Sequence, residues 1–315
     1  MKIKILLILG IGLLFGCNNI DYMPKYFDYE NDLEKEKLIK KVKSLEQYKA
    51  NIIDFETEKT ENPIIEFRKE FTEKGNVSYQ VYYDIFGNEK QLTTNKYNKN
   101  DFLIEVISEN ILNNSKSIEE LKYDTIINKQ ISLHTIYNDT INYFVFFKYD
   151  KDKNIITATD IQNGDTTLNK FDYKFNENGK ILIKKVNQQG DFGETEYITE
   201  NDYDENGNLV MRIFKSEFVK ENKTEYKYND ENRIELIAEY DEGLTIKETF
   251  YDKYFNPILI CNYIDGKLNN QFKYKYTFDK VGNWIEKKVF VKQHTDNQNS
   301  WKFIFIETRN IEYYM

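Results

Sequence analysis

Aromatic and charged residues alternate strictly in several short stretches of this chain. In "FKYKYTFD", which starts at Phe272, an aromatic residue occupies every second position and lysine or threonine lies between. The stretch "KFDYKFN" repeats the scheme with Phe171, Tyr173 and Phe175. A period of two is typical of a β-strand with two unlike faces. The pattern therefore predicts a sheet with one aromatic face and one charged face.

An eight-residue frame recurs between these strand-like stretches. Each of nine copies begins with Tyr or Phe and continues with Asp or Asn; the copies start at Tyr83, Tyr97, Tyr123, Tyr149, Phe175, Tyr203, Tyr228, Tyr251 and Phe278. From Tyr97 onward the steps are 26, 26, 26, 28, 25, 23 and 27 residues, so the period is close to 26. Self-similarity at such a period indicates a repeat architecture.

Two turn signals lie in each repeat. The fifth frame position is Gly, Asn or Asp in six frames: Gly87, Asp101, Gly179, Gly207, Asn232 and Gly282. A second set follows the opening aromatic by 15 residues: Asn138, Gly164, Gly190, Gly243 and Gly266. These residue types favour the positive φ of tight hairpins. We therefore predict an all-β fold, an antiparallel β-hairpin repeat array: a meander of about 16–18 strands in a twisted or curled sheet.

The first residues predict export. An apolar run from Ile5 to Phe15 ends at Leu14-Phe15-Gly16-Cys17, which resembles the lipoprotein box of bacteria. We predict a lipoprotein signal peptide at 1–16, lipidation at Cys17, a tether at 17–37 and the repeat domain at 38–315. Asn18 after the cysteine resembles the sorting signal for the outer membrane, with the protein facing either the periplasm or the surface.

Residues 31–50 fit two local structures. Leu38, Val42 and Leu45 have the spacing of a helical stripe, with Asn31 or Asp32 as a cap, whereas a strand from Val42 onward is what the family resemblance named below implies. The strand is the favoured interpretation.

The charge balance excludes one class of partner. The formal net charge is −9, and loss of Lys2 and Lys4 with the signal peptide leaves 42 − 53 = −11. Nucleic-acid binding needs a basic footprint, so we expect no nucleic-acid partner. With Cys17 lipidated, Cys261 has no partner in the chain, and its apolar surroundings in "NPILICNY" predict a buried thiol.

Residues 202–213 fit the opening of a calcium loop and then depart from it. Asp202, Asp204, Asn206 and Gly207 match the pattern D-x-D-x-N-G, but the twelfth position, which requires a bidentate carboxylate, is Ile213. The weaker match "YDKDKN" from Tyr149 has Ile155 in place of the glycine. We therefore interpret both stretches as turns and predict no metal site.

Catalytic candidates are few. The two histidines, His134 and His294, have no serine or cysteine beside them in a nucleophile setting. Trp284 and Trp301 could stack on sugar rings, but a tryptophan beside a hairpin turn more often packs on the sheet. We assign no catalytic residue and no cofactor, and predict that the protein is not an enzyme.

The frames together resemble the YD-repeat, or RHS-repeat-like, lipoproteins of Gram-negative bacteria. The resemblance covers roughly residues 38–315 and includes the terminal "FDKVGNWIEKKVF", the following "ETRNIEYY" and the N-terminal "KVKSLEQYKA". It implies a β-hairpin array outside the cytoplasm, with 41–54 as the first strand. The self-cleaving motif and C-terminal toxin of RHS toxin shells are not visible here.

The expected function is a non-catalytic envelope lipoprotein, anchored to the membrane by its N-terminal lipid, whose repeat scaffold binds a protein or glycan partner. The alternative is a toxin-neutralising, immunity-type protein or an enzyme whose site one sequence does not reveal. Two connections, 214–226 and "KQHTDNQNSW" from Lys292, are longer than the others and are the expected binding loops.

Overall fold

Hairpin pairing between consecutive strands builds nearly the whole molecule. The computed structural model describes residues 32–54, 57–190, 193–294 and 300–315. A four-residue helix, α1 (Asp32–Lys35), precedes the sheet. The strands are β1 (Val42–Asp54), β2 (Lys59–Thr60), β3 (Ile64–Phe71), β4 (Val77–Tyr83), β5 (Glu89–Tyr97), β6 (Leu103–Asn110), β7 (Ser115–Asp124), β8 (Lys129–Tyr137), β9 (Ile141–Tyr149), β10 (Ile155–Gln162), β11 (Asp165–Phe175), β12 (Ile181–Gly190), β13 (Gly193–Tyr203), β14 (Leu209–Ser216), β15 (Asn222–Tyr228), β16 (Ile234–Asp241), β17 (Leu244–Tyr251), β18 (Pro257–Ile264), β19 (Lys267–Phe278), β20 (Trp284–Gln293) and β21 (Lys302–Tyr313).

The sheet closes on itself. Strand β1 pairs with β3 on one side and with β21 on the other, from Val42 opposite Tyr313 to Asn51 opposite Phe305. Among the described residues, the short β2 pairs only with the end of β1. The result is an antiparallel meander closed into a 20-strand barrel. We call the β1–β21 pairing the seam.

The predicted all-β meander is confirmed, and the sheet has more strands than the 16–18 expected. The nine hairpins of the repeat supply 18 strands, β3 to β20, and β1, β2 and β21 bring the number to 21. The curl predicted for the sheet is complete, since closure pairs every long strand on both sides and leaves no exposed edge. The strand favoured from Val42 onward is also confirmed.

The repeat is more regular in the structure than in the sequence. Nine turns lie at one end of the barrel, which we call the frame end: 72–76, 98–102, 124–128, 150–154, 176–180, 204–208, 229–233, 252–256 and 279–283. The first belongs to Phe71, which lies 26 residues before Tyr97 and opens "FTEKGN". The frame at Tyr83 forms the same kind of turn, with Asp84 Oδ1 accepting the N–H of Asn88 at 2.9 Å, but it lies at the opposite end and so stands outside the 26-residue series. Thr72 stands where the other frames have Asp or Asn, and this substitution hid the true first copy.

The predicted turn residues adopt the expected backbone almost everywhere. All six Gly, Asn or Asp residues at the fifth frame position have positive φ. Lys153 and Phe255 occupy the same position in their frames with φ of 67° and 61°. Of the second set, Gly190 is the exception: it ends β12 with a strand-like backbone, and Gly193 takes the positive φ of 119°.

Alternate residues on each strand face two different environments. The cross-strand pairs show which residues share a face all the way around the barrel. One of the two faces contains the buried polar residues Gln47, Lys69, Asp160, Asn169, Lys184, Thr249 and Glu307. Side chains on the concave side of a closed sheet converge, so we assign this more buried face to the lumen. Tyr274 and Tyr276 lie on the lumen face, and Lys273 and Lys275 lie on the outer face.

Tyrosines connect neighbouring hairpins at the frame end. The hydroxyl of Tyr228 donates to the carbonyl of Leu209 at 2.9 Å, and that of Tyr203 donates to the carbonyl of Ile181 at 3.0 Å. The same bond recurs from Tyr97 to Val77, from Tyr149 to Gln130 and from Tyr276 to Pro257. Each accepting carbonyl belongs to a residue just beyond a register shift, where the ladder is interrupted. The aromatic residue of the frame is therefore also a cross-hairpin hydrogen-bond donor.

Candidate functional site

The aspartates of the frame turns bind the backbone of their own turn. Oδ1 of Asp204 accepts the N–H of Asn208 at 2.7 Å, and Nδ2 of Asn208 donates to Oδ2 of Asp204 at 3.0 Å. These bonds hold the pKa of Asp204 below its ordinary value, and the side-chain bond from Asn208 makes the largest contribution. Asp150 makes the same bonds with Asn154. The carboxylate oxygens that would have to bind calcium therefore already accept hydrogen bonds from N–H groups of the turn.

The other residues singled out from the sequence are dispersed. Within the described ranges, no group of three or more His, Cys, Asp or Glu residues is arranged to hold a metal ion. His134 stacks on Phe144 with ring centroids 4.2 Å apart, and His294 bonds Gln271 at 3.0 Å. Cys261 is buried, as predicted, with Gln271 donating to its Sγ at 3.2 Å. Cys17 lies outside the described residues, so its lipidation stays a prediction.

A buried charged cluster lies on the lumen face beside the seam. It consists of Glu36, Lys69, Lys287, Glu307 and Arg309, and we call it the seam cluster. Lys69 pairs with Glu36 and Lys287 pairs with Glu307. The side chain of Arg309 is only 8% exposed, with Nη2 3.8 Å from Glu36. Burial lowers the pKa of Arg309 to about 10, and the nearby carboxylates of Glu36 and Glu307 oppose that shift.

Trp284 completes the surroundings of Arg309. The guanidinium carbon lies 3.6 Å from the centroid of the Trp284 ring, and Nε donates to Oε1 of Gln47 at 3.1 Å. Trp284 is 8% exposed and meets Tyr276 edge to face, so it packs on the sheet instead of offering a sugar platform. Nη1 of Arg309 has no hydrogen-bond partner among the described residues.

The seam cluster holds the N-terminal segment 32–41 on the barrel. The side chains of Leu33 and Leu38 are buried with Val42 and Leu45. The backbone of Ile39 bonds the side chain of Asn283 in both directions, at 2.6 and 3.0 Å. Residues 32–37, the last part of the predicted tether, are therefore packed against the frame end. The partners of Glu36 are remote in sequence, which is why sequence patterns did not reveal this cluster.

Exposed apolar side chains lie at both ends of the barrel, and one group of them lies close together at the opposite end. Ile85 and Phe86 at the β4–β5 turn are 77% and 78% exposed, and Leu112 at the β6–β7 turn is 62% exposed. Together with Ile53 and Ile111 they form what we call the apolar rim. Phe218, 78% exposed, lies at the same end across the ring. The predicted long connection 214–226 is mostly strand, with only 217–221 between β14 and β15; of the other, 295–299 lie outside the described residues.

The outer face of the barrel is charged and paired across strands. Lys96 pairs with Glu105, Lys116 with Glu109 at 3.0 Å, and Lys215 with Glu200 at 3.3 Å. Further charges on this face occur on most strands, which agrees with the predicted charged face. No helix in the described ranges combines the length and apolar character needed to cross a membrane.

Comparison with known proteins identifies no family. No protein-family model and no curated protein matches the chain. Among solved structures, a porin-like protein from Bacteroides uniformis has 10% identity and a TM-score of 0.35, over 86% of this chain and 96% of that chain. The TcdB2-TccC3-Cdc42 structure has 12% identity and a TM-score of 0.31, over 76% of this chain and 16% of that chain. TcdB2-TccC3 without its hypervariable C-terminal region has 12% identity and a TM-score of 0.32, over 77% of this chain and 17% of that chain.

This chain thus spans about one sixth of the length of the two TcdB2-TccC3 chains. All three TM-scores lie below 0.5, so none of these structures assigns a fold family or a function to it. The resemblance to YD-repeat lipoproteins stays a prediction.

Proposed function

We propose that this protein is a non-catalytic, lipid-anchored scaffold of the bacterial envelope that binds a protein partner through the apolar rim. The observation that carries the proposal is the position of the rim at the end opposite the N-terminal segment. Ile53, Ile85, Phe86, Ile111 and Leu112 are exposed on neighbouring strands and turns of that end.

The path of the N-terminal segment orients the barrel. Asp32 is fixed at the frame end, where its carboxylate accepts the N–H of Val77 at 2.7 Å. From Cys17 to Asp32 an extended chain reaches at most about 50 Å. In this proposal a lipid on Cys17 attaches the barrel to the membrane through the frame end, which is the end opposite the apolar rim.

The charges of the outer face keep the barrel wall out of the lipid. A lysine or arginine on a lipid-facing barrel surface costs about 2–4 kcal/mol at the midplane of the bilayer. Here charged residues such as Lys96, Glu105, Lys185 and Glu196 lie on that face, in pairs suited to water. The proposed location is therefore beside a membrane, tethered by the lipid.

The chemistry of the rim favours a protein as partner. Apolar side chains at turn tips, surrounded by polar residues, are typical of protein–protein interaction sites. Aromatic anchors such as Phe86 commonly dominate the binding energy of such sites. The partner is expected to present an apolar pocket to Phe86 and Leu112.

Site-specific crosslinking in intact cells tests the proposal. A photoreactive phenylalanine in place of Phe86 should give one discrete protein adduct, which the added substitutions Ile85→Ser and Leu112→Ser abolish. Ile126→Ser is the matched control, since Ile126 is 87% exposed at the frame end; it should leave the adduct unchanged. An adduct that survives loss of the rim, or that the control also removes, would contradict the proposal. Crosslinks only to lipid would show that the rim contacts a membrane.

A further inference from the structure

Four lysines gather on the outer face of two adjacent strands. Lys273 and Lys275 lie on β19, and Lys288 and Lys292 lie on β20. The register sets Lys275 directly opposite Lys288, and Lys292 opposite Gln271. Like charges placed directly opposite each other repel and destabilise a strand pair. We call this group, with the rings of Phe290, Phe303 and Trp301, the lysine wall.

Aromatic rings lie between the lysines. The ammonium groups of Lys273 and Lys275 lie 5.6 and 5.2 Å from the centroid of the Phe290 ring. Lys273 is also 4.5 Å from the Trp301 ring, and Phe290 meets Phe303 at 5.1 Å between centroids. Cations over ring faces are mutually favourable contacts, so the rings hold the lysine side chains in place on the sheet.

Carboxylates neutralise the wall only in part. Lys288 pairs with Glu58 at 3.1 Å, and Glu286, opposite Thr277, is the acidic residue of β20 on the same face. Among the described residues, Lys273, Lys275 and Lys292 have no carboxylate within ion-pair distance. Elsewhere on this face Lys96, Lys116 and Lys215 each pair with a glutamate on the next strand. Among the described residues the four lysines of the wall thus outnumber the two carboxylates beside them, on a protein whose net charge is −9.

We propose that the lysine wall binds an acidic glycan, with the lysines contacting its carboxylate or phosphate groups and Trp301 stacking on a sugar ring. Charge complementarity selects an anion, because an anionic group between Lys275 and Lys288 removes their repulsion. The ring arrangement selects a glycan over a lipid surface. Phe303 is buried and Phe290 is half-buried beneath lysines, so these rings do not protrude for insertion into a membrane.

The lysine wall is separate from the apolar rim, so the glycan proposal and the protein-partner proposal can be tested independently. The lysine wall lies on the barrel side wall, whereas the rim proposal concerns turn tips on β1 and at β4–β5 and β6–β7. Loss of glycan binding would leave the crosslink from position 86 intact.

The test uses the purified full-length chain in detergent, with fluorescent polygalacturonate as the acidic probe and dextran as the neutral one. We expect polygalacturonate to bind and dextran not to bind. The double variant K273Q and K275Q should lose about tenfold or more in affinity, since it removes two favourable charge contacts with the anion. The matched control is K96Q with K116Q, which removes two lysines from the same face. It should change the affinity less than about twofold, because those lysines are already paired.

Two further measurements complete the test: tryptophan fluorescence locates the bound glycan, and a soluble anionic lipid shows whether the wall prefers a lipid headgroup. Binding should change the tryptophan emission of the natural chain, and the change should disappear in Trp301→Phe, because Trp284 is buried. Circular dichroism would show whether each variant is folded. The proposal is overturned if the control loses as much affinity as the double variant, or if the double variant binds normally. It is also overturned if dihexanoyl phosphatidylglycerol occupies the wall and polygalacturonate does not.

Discussion

The two ends of the barrel are built on different rules. At the frame end there are nine turns of closely similar length, and eight of them, all but 124–128, share one backbone hydrogen-bond scheme. The same scheme occurs once at the opposite end, in the turn 84–88. Among the connections at the opposite end whose residues are all described, lengths range from the two residues Asn163 and Gly164 to five residues, as at 217–221. Turns at both ends carry exposed apolar side chains. One turn type therefore predominates at the frame end, whereas connection length and turn type vary more at the opposite end. That division is why the partner site is proposed at the less regular end.

The largest expected effect comes from the seam cluster, which belongs to the frame-end half of the barrel. Arg309→Ala would remove a positive charge that offsets the negative charge of the buried Glu307, and it would remove the contact with Glu36. Breaking a buried ion pair costs about 3–5 kcal/mol of unfolding free energy, which urea denaturation would measure. Arg68→Ala, which removes an exposed pair with Glu70, should cost about 0–1 kcal/mol. Equal losses for both would show that burial of the cluster contributes nothing.

The tyrosine bonds between hairpins allow a finer comparison within the frame end. Tyr228→Phe removes the side-chain donor to the Leu209 carbonyl and should cost about 1–2 kcal/mol. Tyr203→Phe should cost about 0.5 kcal/mol, because the Ile181 carbonyl keeps a second donor, Nδ2 of Asn201 at 3.0 Å. Thermal and urea unfolding of the two variants would measure the difference. If Tyr203→Phe proved the more costly of the two, the bonds would not have the stabilising role described above.

Backbone strain distinguishes frames that keep glycine from frames that do not. Lys153 has a φ of 67°, so Lys153→Gly should stabilise the protein by up to about 1 kcal/mol. Gly179 has a φ of 74° and open space around its Cβ position, so Gly179→Ala should destabilise by about 1 kcal/mol through backbone strain alone. The two melting temperatures should move in opposite directions. A fall for both would mean that the lysine side chain contributes more than its strain costs.

The smallest effect is a pH dependence carried by the frame aspartates. The pKa of Asp204 is lower in the folded protein than its ordinary value, so its contribution is fully present above about pH 4. That contribution is lost as the pH falls through the folded pKa. Asp204→Asn keeps a side-chain oxygen acceptor, like Asn176 in its own frame, but does not titrate. Its melting temperature should therefore fall less than that of the natural chain between pH 4 and lower values.

Asp230→Asn, at an exposed position in another frame turn, is the control for this pH series. It should follow the natural chain. An Asp204→Asn variant that also follows the natural chain at low pH would contradict the assignment.

Local chemistry was predictable from the sequence, and long-range closure was not. Positive φ at Gly207 and Asn232 and the burial of Cys261 follow from short patterns. The strand from Val42 was expected from the resemblance to YD-repeat lipoproteins, because the local pattern there also fitted a helix. The frame at Phe71 was missed because Thr72 replaces the acid, although the 26-residue spacing points to it. The seam cluster was missed for a different reason. Gln47 and Arg309 are 262 residues apart, and no periodic pattern specifies which distant strands meet.

The seam also determines the order in which the barrel is able to form. From β3 to β21 each strand pairs with its neighbour in sequence, so those hairpins can assemble locally as the chain becomes available. Strand β1 must wait for β21, which arrives some 250 residues later, and until then one edge of β1 and the growing edge of the meander both stay open. Of the strands described, β21 is therefore the one that closes the barrel. Joining Tyr313 to Val42 and opening the chain at a turn of the opposite end would make that closing pair the most local contact in the molecule.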